Sequence, residues 1–247
     1  MRMKCYFSSM TNKLFTSALV MTMMIMSSVS AFADAAAERV LRGARYAATL
    51  QNQDLHGIMK KDGRKTPVTL FLRKQNIQFH YQNNNVAKRF HMHLKDEQFD
   101  LFEIVGGKTL KFNNKKLAEK INGTDLSFED LSMRFLYWKN SSITGEEKVG
   151  GQKCHVVRLI NPGKEGAYSI VYVWIHQKYG ALMRVVGYDA KGSPMKQFQV
   201  TDLMKVGPKE YTLKRMRVDS MLKNKVAGTT YLEFEKPKKA AGAQPGR

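Results

Sequence analysis

Cysteine is almost missing from this 247-residue sequence, which has only Cys5 and Cys154. Two thiols exclude, by counting alone, a disulfide-stapled small domain, a multi-cysteine zinc site and an iron–sulfur cluster. Acidic residues are also scarce: 21 Asp and Glu stand against 41 Lys and Arg, a formal net charge of +20. Catalytic signatures are lacking. There is no G-x-S-x-G, no H-E-x-x-H and no paired C-x-x-C, and Gly107-Lys108-Thr109 has Phe102 where a phosphate loop needs its first glycine. With no nucleophile or acid–base constellation, the chain reads as a non-enzyme without cofactor, metal or catalytic residues. What it has in quantity is core-forming material. Apolar residues make up 43% and aromatic residues 10%, which rules out disorder, and a chain of this length closes one all-β domain without needing a second.

Long hydrophobic runs are limited to one, Leu14 to Met26, preceded by Arg2, Lys4 and Lys13 and followed by Ala31-Phe32-Ala33. Such a run is shorter than the ~20 residues that span a bilayer. A basic start, a short apolar core and an A-x-A ending form a secretory signal peptide, residues 1–33, cleaved after Ala33. Processing leaves 38 basic against 21 acidic residues, a mature charge of +17. Cys154 is then the single thiol and reads as a small buried hydrophobe. Export to the periplasm argues against a nucleic-acid partner. The basic groups Lys88-Arg89, Lys115-Lys116, Lys214-Arg215-Arg217 and Lys236 to Lys239 suit an anionic membrane surface or an acidic protein, and suit an ordinary solvated surface equally well. His91 and His93 share a strand face with His80 on the preceding run, but no acidic or cysteine ligand flanks them. Hydrogen-bonded histidines on a polar sheet face are the preferred reading over a metal site.

Periodicity gives the elements. Ala35 to Leu50 carries Val40, Leu41, Ala44, Ala47 and Ala48 on one helical stripe. From Leu55 onward, short β-type runs alternate with turn residues at Asp62-Gly63, Lys74 to Asn76, Asn83 to Asn85, Asp96-Glu97 and Gly106-Gly107, a spacing that predicts antiparallel meanders. A second helix is expected over Ser127 to Trp138, where Ser127 and Asp130 resemble a capping box and Phe128, Leu131, Phe135 and Trp138 share a face. Hairpins then resume through Gly150-Gly151 to Glu235, giving about eleven strands in all. Lys236 to Arg247 reads as a disordered basic tail. Tyr168 to His176 is apolar on both faces, so a helix or a ligand is expected to cover the second one.

The stretch Gly123-Thr124-Asp125-Leu126-Ser127-Phe128-Glu129-Asp130-Leu131 and the run from Tyr172-Val173-Trp174-Ile175-His176 to Tyr188-Asp189-Ala190-Lys191-Gly192 resemble the outer-membrane lipoprotein-sorting proteins of the LolA/LolB-like superfamily. The resemblance spans Ala36 to Glu235 and makes 34–235 one lipid-binding domain. It implies a mainly β fold with a few helices, a single curved antiparallel sheet forming an unclosed barrel with helices in its concave mouth. It also implies a hydrophobic cavity for lipoprotein acyl chains, inner-membrane donor and outer-membrane acceptor partners, and a monomeric carrier or chaperone. A lipid- or peptide-sensing regulatory module on the same fold is the alternative. Candidate cavity residues are Phe71, Phe79, Tyr81, Phe128, Phe135, Trp138, Tyr172, Trp174 and Met183, each of which suits plain core packing as well. The family's latch arginine is expected near the first strands, but no local motif assigns it to Arg64 or Arg73.

Overall fold

The computed structural model describes residues 35–83, 86–95, 98–163, 165–208 and 210–237. The expected signal peptide and its cleavage site, and residues 238–247 of the expected tail, lie outside the described residues. Two meanders make one sheet. The first comprises β1 (Asn52–Lys61), β2 (Arg64–Arg73), β3 (Asn76–Asn83), β4 (Val86–Leu94), β5 (Phe99–Val105) and β6 (Lys108–Lys111). The second comprises β7 (Asn140–Val149), β8 (Gln152–Ile160), β9 (Ile170–His176), β10 (Leu182–Tyr188), β11 (Pro194–Lys205), β12 (Tyr211–Leu222) and β13 (Lys225–Phe234). Antiparallel pairing of β1 with β13 joins them, with Gly57 opposite Phe234 and Lys60 opposite Tyr231. The order runs from β6 through β1 and β13 to β7, so β6 and β7 are the free edges of an unclosed sheet. Among the described residues thirteen strands replace the expected eleven or so. The additions are β1 and the four-residue β6, whose residues are all exposed.

Turn chemistry fixes much of this. Asp62-Gly63, Gly106-Gly107 and Gly150-Gly151 each place two successive residues at positive φ, the geometry that matches the twist of a two-residue hairpin. Lys223-Asn224 does the same with φ of 50° and 62° and no glycine to announce it. The two halves curve by different means. The first meander pairs in continuous register, whereas irregularities interrupt β7–β8, β9–β10, β10–β11, β11–β12 and β12–β13. Each extra residue bends its strand and increases the local twist, which coils the second half toward the first.

Two helical pieces lie on the concave face. α1, residues 35–49, presents Ala37, Leu41 and Ala44 to the core. The connection from β6 to β7 crosses the same face through a 3₁₀ turn at Asn114–Lys116 and α2 (Phe128–Ser132). The Ser127–Asp130 capping box is present in both directions. The single helix expected to Trp138 is not: α2 stops at Met133, which adopts a left-handed conformation (φ 46°), and the chain continues as a 3₁₀ turn over Arg134–Tyr137. That kink lets Phe135 and Leu136, adjacent in sequence, both be buried.

The second face of β9 also departs from expectation. Val171, Val173 and Ile175 enter the main core. Trp174 forms a separate cluster on the convex face with Val149, Cys154, Val156, Met183 and Val186, and Tyr172 packs against it. Among the described residues no helix covers it. The Arg184 guanidinium lies over the Trp174 ring at 4.7 Å, and Trp174 Nε1 donates to Glu147 Oε2 at 2.8 Å. Charged side chains with long stems shield the apolar surface there.

Candidate functional site

Period-two alternation sends Leu70 and Leu72 of β2, Ile77 and Phe79 of β3, and Leu232 and Phe234 of β13 to the inside of the curve. With residues of β4 and of β10 to β12 they form the floor of a cavity of about 250 Å³. Its roof is Arg45 and Ala48 of α1 together with the crossing segment from Leu126 to Tyr137. The lining is almost wholly apolar. A cavity of roughly 150 Å³ with such walls stays dry and takes up small hydrocarbons, so this one has the room and the walls for a run of methylenes. A longer acyl chain requires part of the roof to move.

The two parts of the roof are held differently. The crossing segment is bolted at both ends of the motif Gly123 to Asp130 by buried carboxylates. Asp125 Oδ1 accepts from Lys61 Nζ at 2.9 Å and from Ser220 Oγ at 2.8 Å, and Oδ2 accepts from Thr230 Oγ1 at 2.9 Å. These contacts tie the segment to β1, β12 and β13. Burial alone pushes the Asp125 carboxyl up, but Lys61, Ser220 and Thr230 together outweigh it and hold the carboxyl below its ordinary range. Gly228 makes room: a Cβ there would stand 2.8 Å from Asp125 Oδ1. At the other end Asp130 accepts from Ser127 N–H at 2.7 Å, Lys196 Nζ at 2.5 Å and the Tyr168 hydroxyl at 2.5 Å. Burial first, and Asp130 second, keep the Tyr168 hydroxyl far above its usual pKa. Glu129 accepts from Ala167 N–H at 2.6 Å. Its carboxyl is raised, mainly by burial, with the charge of Asp130 adding to this and the Ala167 N–H opposing it. The motif that carries the family resemblance is thus a structural rivet.

α1 has no such rivet. Its large buried side chain is Leu41, and Tyr46 and Leu50 are exposed. One polar clamp holds its C-terminal half: Arg45 Nη1 donates to the Leu136 carbonyl at 2.7 Å, Nη2 pairs with Glu38, and the guanidinium lies 5.2 Å from the Tyr137 ring centre. Arg45 therefore ties α1 to the crossing segment across the cavity. The two arginines near the first strands do not. Arg73 pairs with Asp54 and is exposed, and Arg64 is exposed beside the β1–β2 turn.

Of the nine candidate residues, Phe79 and Phe135 line the cavity. Tyr81 is buried on the same strand face as Phe79, its ring centre 6.0 Å away. Trp138 packs edge-on to Phe135, and Phe128 lies against Phe90 and Phe112 beneath the crossing segment. Phe71 is on the convex face, its ring tilted at 59° against His80 with centres 4.5 Å apart. Tyr172, Trp174 and Met183 belong to the convex cluster. Residues that sequence reasoning passed over supply most of the lining, including Leu70 and Leu72, the neighbours of Phe71 on either side. The histidines are engaged with carboxamides: His91 Nε2 and His93 Nδ1 lie 3.1 and 3.0 Å from Asn76 Oδ1, and His80 lies 2.9 Å from Gln78 Oε1. Among the described residues no group of three His, Cys, Asp or Glu side chains is placed to hold a metal, and no helix is long and apolar enough to cross a membrane.

A family model whose description reads "uncharacterized protein" matches residues 71–244. The chain belongs to that family. No curated protein matches its sequence. Solved structures share its fold at low identity. A domain named for outer membrane lipoprotein sorting, from Vibrio parahaemolyticus, is 15% identical with a TM-score of 0.64, covering 86% of this chain and 95% of its own. A DUF1329 family protein from Desulfovibrio piger is 15% identical with a TM-score of 0.58, covering 85% and 95%. A LolA superfamily protein from Nitrosomonas europaea is 12% identical with a TM-score of 0.58, covering 81% and 91%. The resemblance read from the sequence is thus met in the architecture: this family member has the fold of LolA superfamily proteins.

Proposed function

We propose that this protein is a non-enzymatic carrier that is exported to the periplasm, accepts acyl chains of lipoproteins or a related lipid in its cavity and moves them toward the outer membrane. One observation carries the reading. An almost wholly apolar cavity of about 250 Å³ lies beneath a helix held by Ala37, Leu41 and Ala44 and by one polar clamp, Arg45. Burying Leu41 with Ala37 and Ala44 is worth about 4 kcal/mol, and each cargo methylene leaving water contributes about 0.8 kcal/mol, so a chain of more than about ten methylenes outweighs it. An acyl chain therefore gains enough to displace α1 and take its place, which is a population shift driven by differential burial.

The test is to purify the exported chain without detergent, identify co-purifying species by native mass spectrometry and organic extraction, and titrate the stripped protein with a fluorescent fatty acid. A bound acylated species, or saturable probe uptake competed by a long-chain lipid, is expected. A protein that is empty as purified and also fails to take up the probe overturns the reading.

A further inference from the structure

One end of the sheet carries a surface that no residue of the cavity shares. Because neighbouring strands are antiparallel and in the order given, the β12–β13, β1–β2, β3–β4 and β5–β6 hairpins all turn at the same end, side by side along the rim. Of the large hydrophobic side chains that remain exposed, five sit at this end: Leu222 (65%), Val226 (50%), Val86 (55%), Val105 (49%) and Leu110 (47%). The β12–β13 hairpin projects beyond the β1–β2 hairpin beside it. β13 is paired with β1 only from Tyr231 onward, so at ~3.4 Å per residue its tip stands roughly 15 Å beyond the β1–β2 turn.

Cations predominate at this end, where Asp62 of the β1–β2 turn is an exposed acid among them. Arg64, Lys65, Lys108, Lys111, Lys223 and Lys225 are exposed among the aliphatic tips, and among the described residues none of them makes an ion pair. The basic stripe singled out in the sequence is different: Lys214, Arg215 and Arg217 pair with Asp202, Glu233 and Asp219. We infer that the hairpin rim led by Leu222, Lys223, Lys225 and Val226 docks on a bilayer surface rich in anionic lipid, with the aliphatic tips entering the headgroup region and the lysines pairing with lipid phosphates. Exposed apolar groups ringed by cations match such an interface on both counts. The inference does not rest on what the cavity holds, because Arg64, Lys65 and the five aliphatic residues all lie outside its lining.

Leu222→Trp in the processed chain tests it. Trp138 and Trp174 are buried, so their emission is a background that vesicles leave unchanged and that the wild-type spectrum subtracts. Vesicles of phosphatidylcholine with 30 mol% phosphatidylglycerol are expected to shift the new emission to the blue, phosphatidylcholine alone to leave it unchanged, and 0.5 M salt to reverse it. Lys223→Glu with Lys225→Glu is expected to weaken co-sedimentation of the otherwise unaltered chain at least tenfold, and Leu222→Ser with Val226→Ser several-fold, with unchanged thermal melting. The same charge reversal at Lys178 and Lys205, at the opposite end, is expected to cost far less. Absence of vesicle binding, binding without a blue shift, or equal losses from the two ends overturns the proposal. Salt-sensitive attachment without the shift would mean that the lysines meet the headgroups while the aliphatic tips stay in water, which contradicts this docking. The fatty-acid titration of the cavity is read separately, so either idea fails without the other.

Discussion

Asp125 shows how much one side chain decides here. It is almost fully buried and satisfied by three donors, one of them the Lys61 ammonium. Removing one partner of a buried ion pair strands the other charge, which costs about 3 kcal/mol. Asp125→Asn is therefore expected to lower the unfolding free energy by about that amount in urea melts at pH 7. The pH dependence has a definite sign. The folded pKa of Asp125 lies below its unfolded value of about 3.8, so its stabilisation is complete above that value and is lost as pH falls through the folded one. The difference between wild type and variant should shrink below pH 4, and an unchanged difference at pH 3 would refute the assignment. Single residues also mark where the sequence stops being legible. Phe71 and Phe79 look alike as candidates, yet pleat parity sends one outward to His80 and the other into the cavity. A one-residue choice of face has no local signature in a strand with apolar residues on both sides. Arg45 escaped notice because nothing near it in sequence shows that the Leu136 carbonyl, 91 residues away, waits for it.

Among the elements, α1 and the crossing segment look alike as amphipathic lids on the sequence, and the structure separates them. Asp125, Glu129 and Asp130 fix the crossing segment to β1, β11, β12, β13 and the loop before β9, whereas α1 is held by apolar packing of Ala37, Leu41 and Ala44 and by the single Arg45 clamp. A hydrogen bond from a charged donor is worth about 1.5–3 kcal/mol, a factor of ten or more in an opening equilibrium. Arg45→Leu is thus expected to speed release of a bound fluorescent fatty acid roughly tenfold in a stopped-flow displacement, with the fold intact by circular dichroism. An unaltered release rate would show that α1 is not the gate. Turn chemistry explains which elements were readable. The Asp-Gly and Gly-Gly hairpins announce themselves, because glycine favours the positive φ they need. Lys223-Asn224 adopts the same turn with a lysine, and β6 is four exposed residues without apolar alternation. The break at Met133 contradicts a helical periodicity that was otherwise good, because burying both Phe135 and Leu136 prevailed over continuing the helix.

At the scale of the whole molecule, the sheet is joined through its two ends in sequence. Each meander is local, but they meet only where β1 pairs with β13, some of the longest-range contacts in the chain. β13 is also paired along its length with β12, and Glu235 N–H donates to the His56 carbonyl at 2.8 Å just beyond it. Without β13 the cavity loses Leu232 and Phe234 from its floor, Asp125 loses Thr230, and the first meander has no sheet partner. A chain ending at Asn224 is therefore expected to show no cooperative thermal transition and to take up no fatty acid. A chain ending at Glu235 keeps every one of these contacts and sheds only the basic tail, so its melting temperature should stay within about 2 °C of the full chain's, the shift that ~0.5–1 kcal/mol produces in a domain of this size. Loss of folding in the longer truncation would place the domain boundary inside the tail. Survival of a cooperative transition in the shorter one would mean that the β7 to β12 half folds alone, and that the cavity is assembled by docking two independent sheets rather than by completing one.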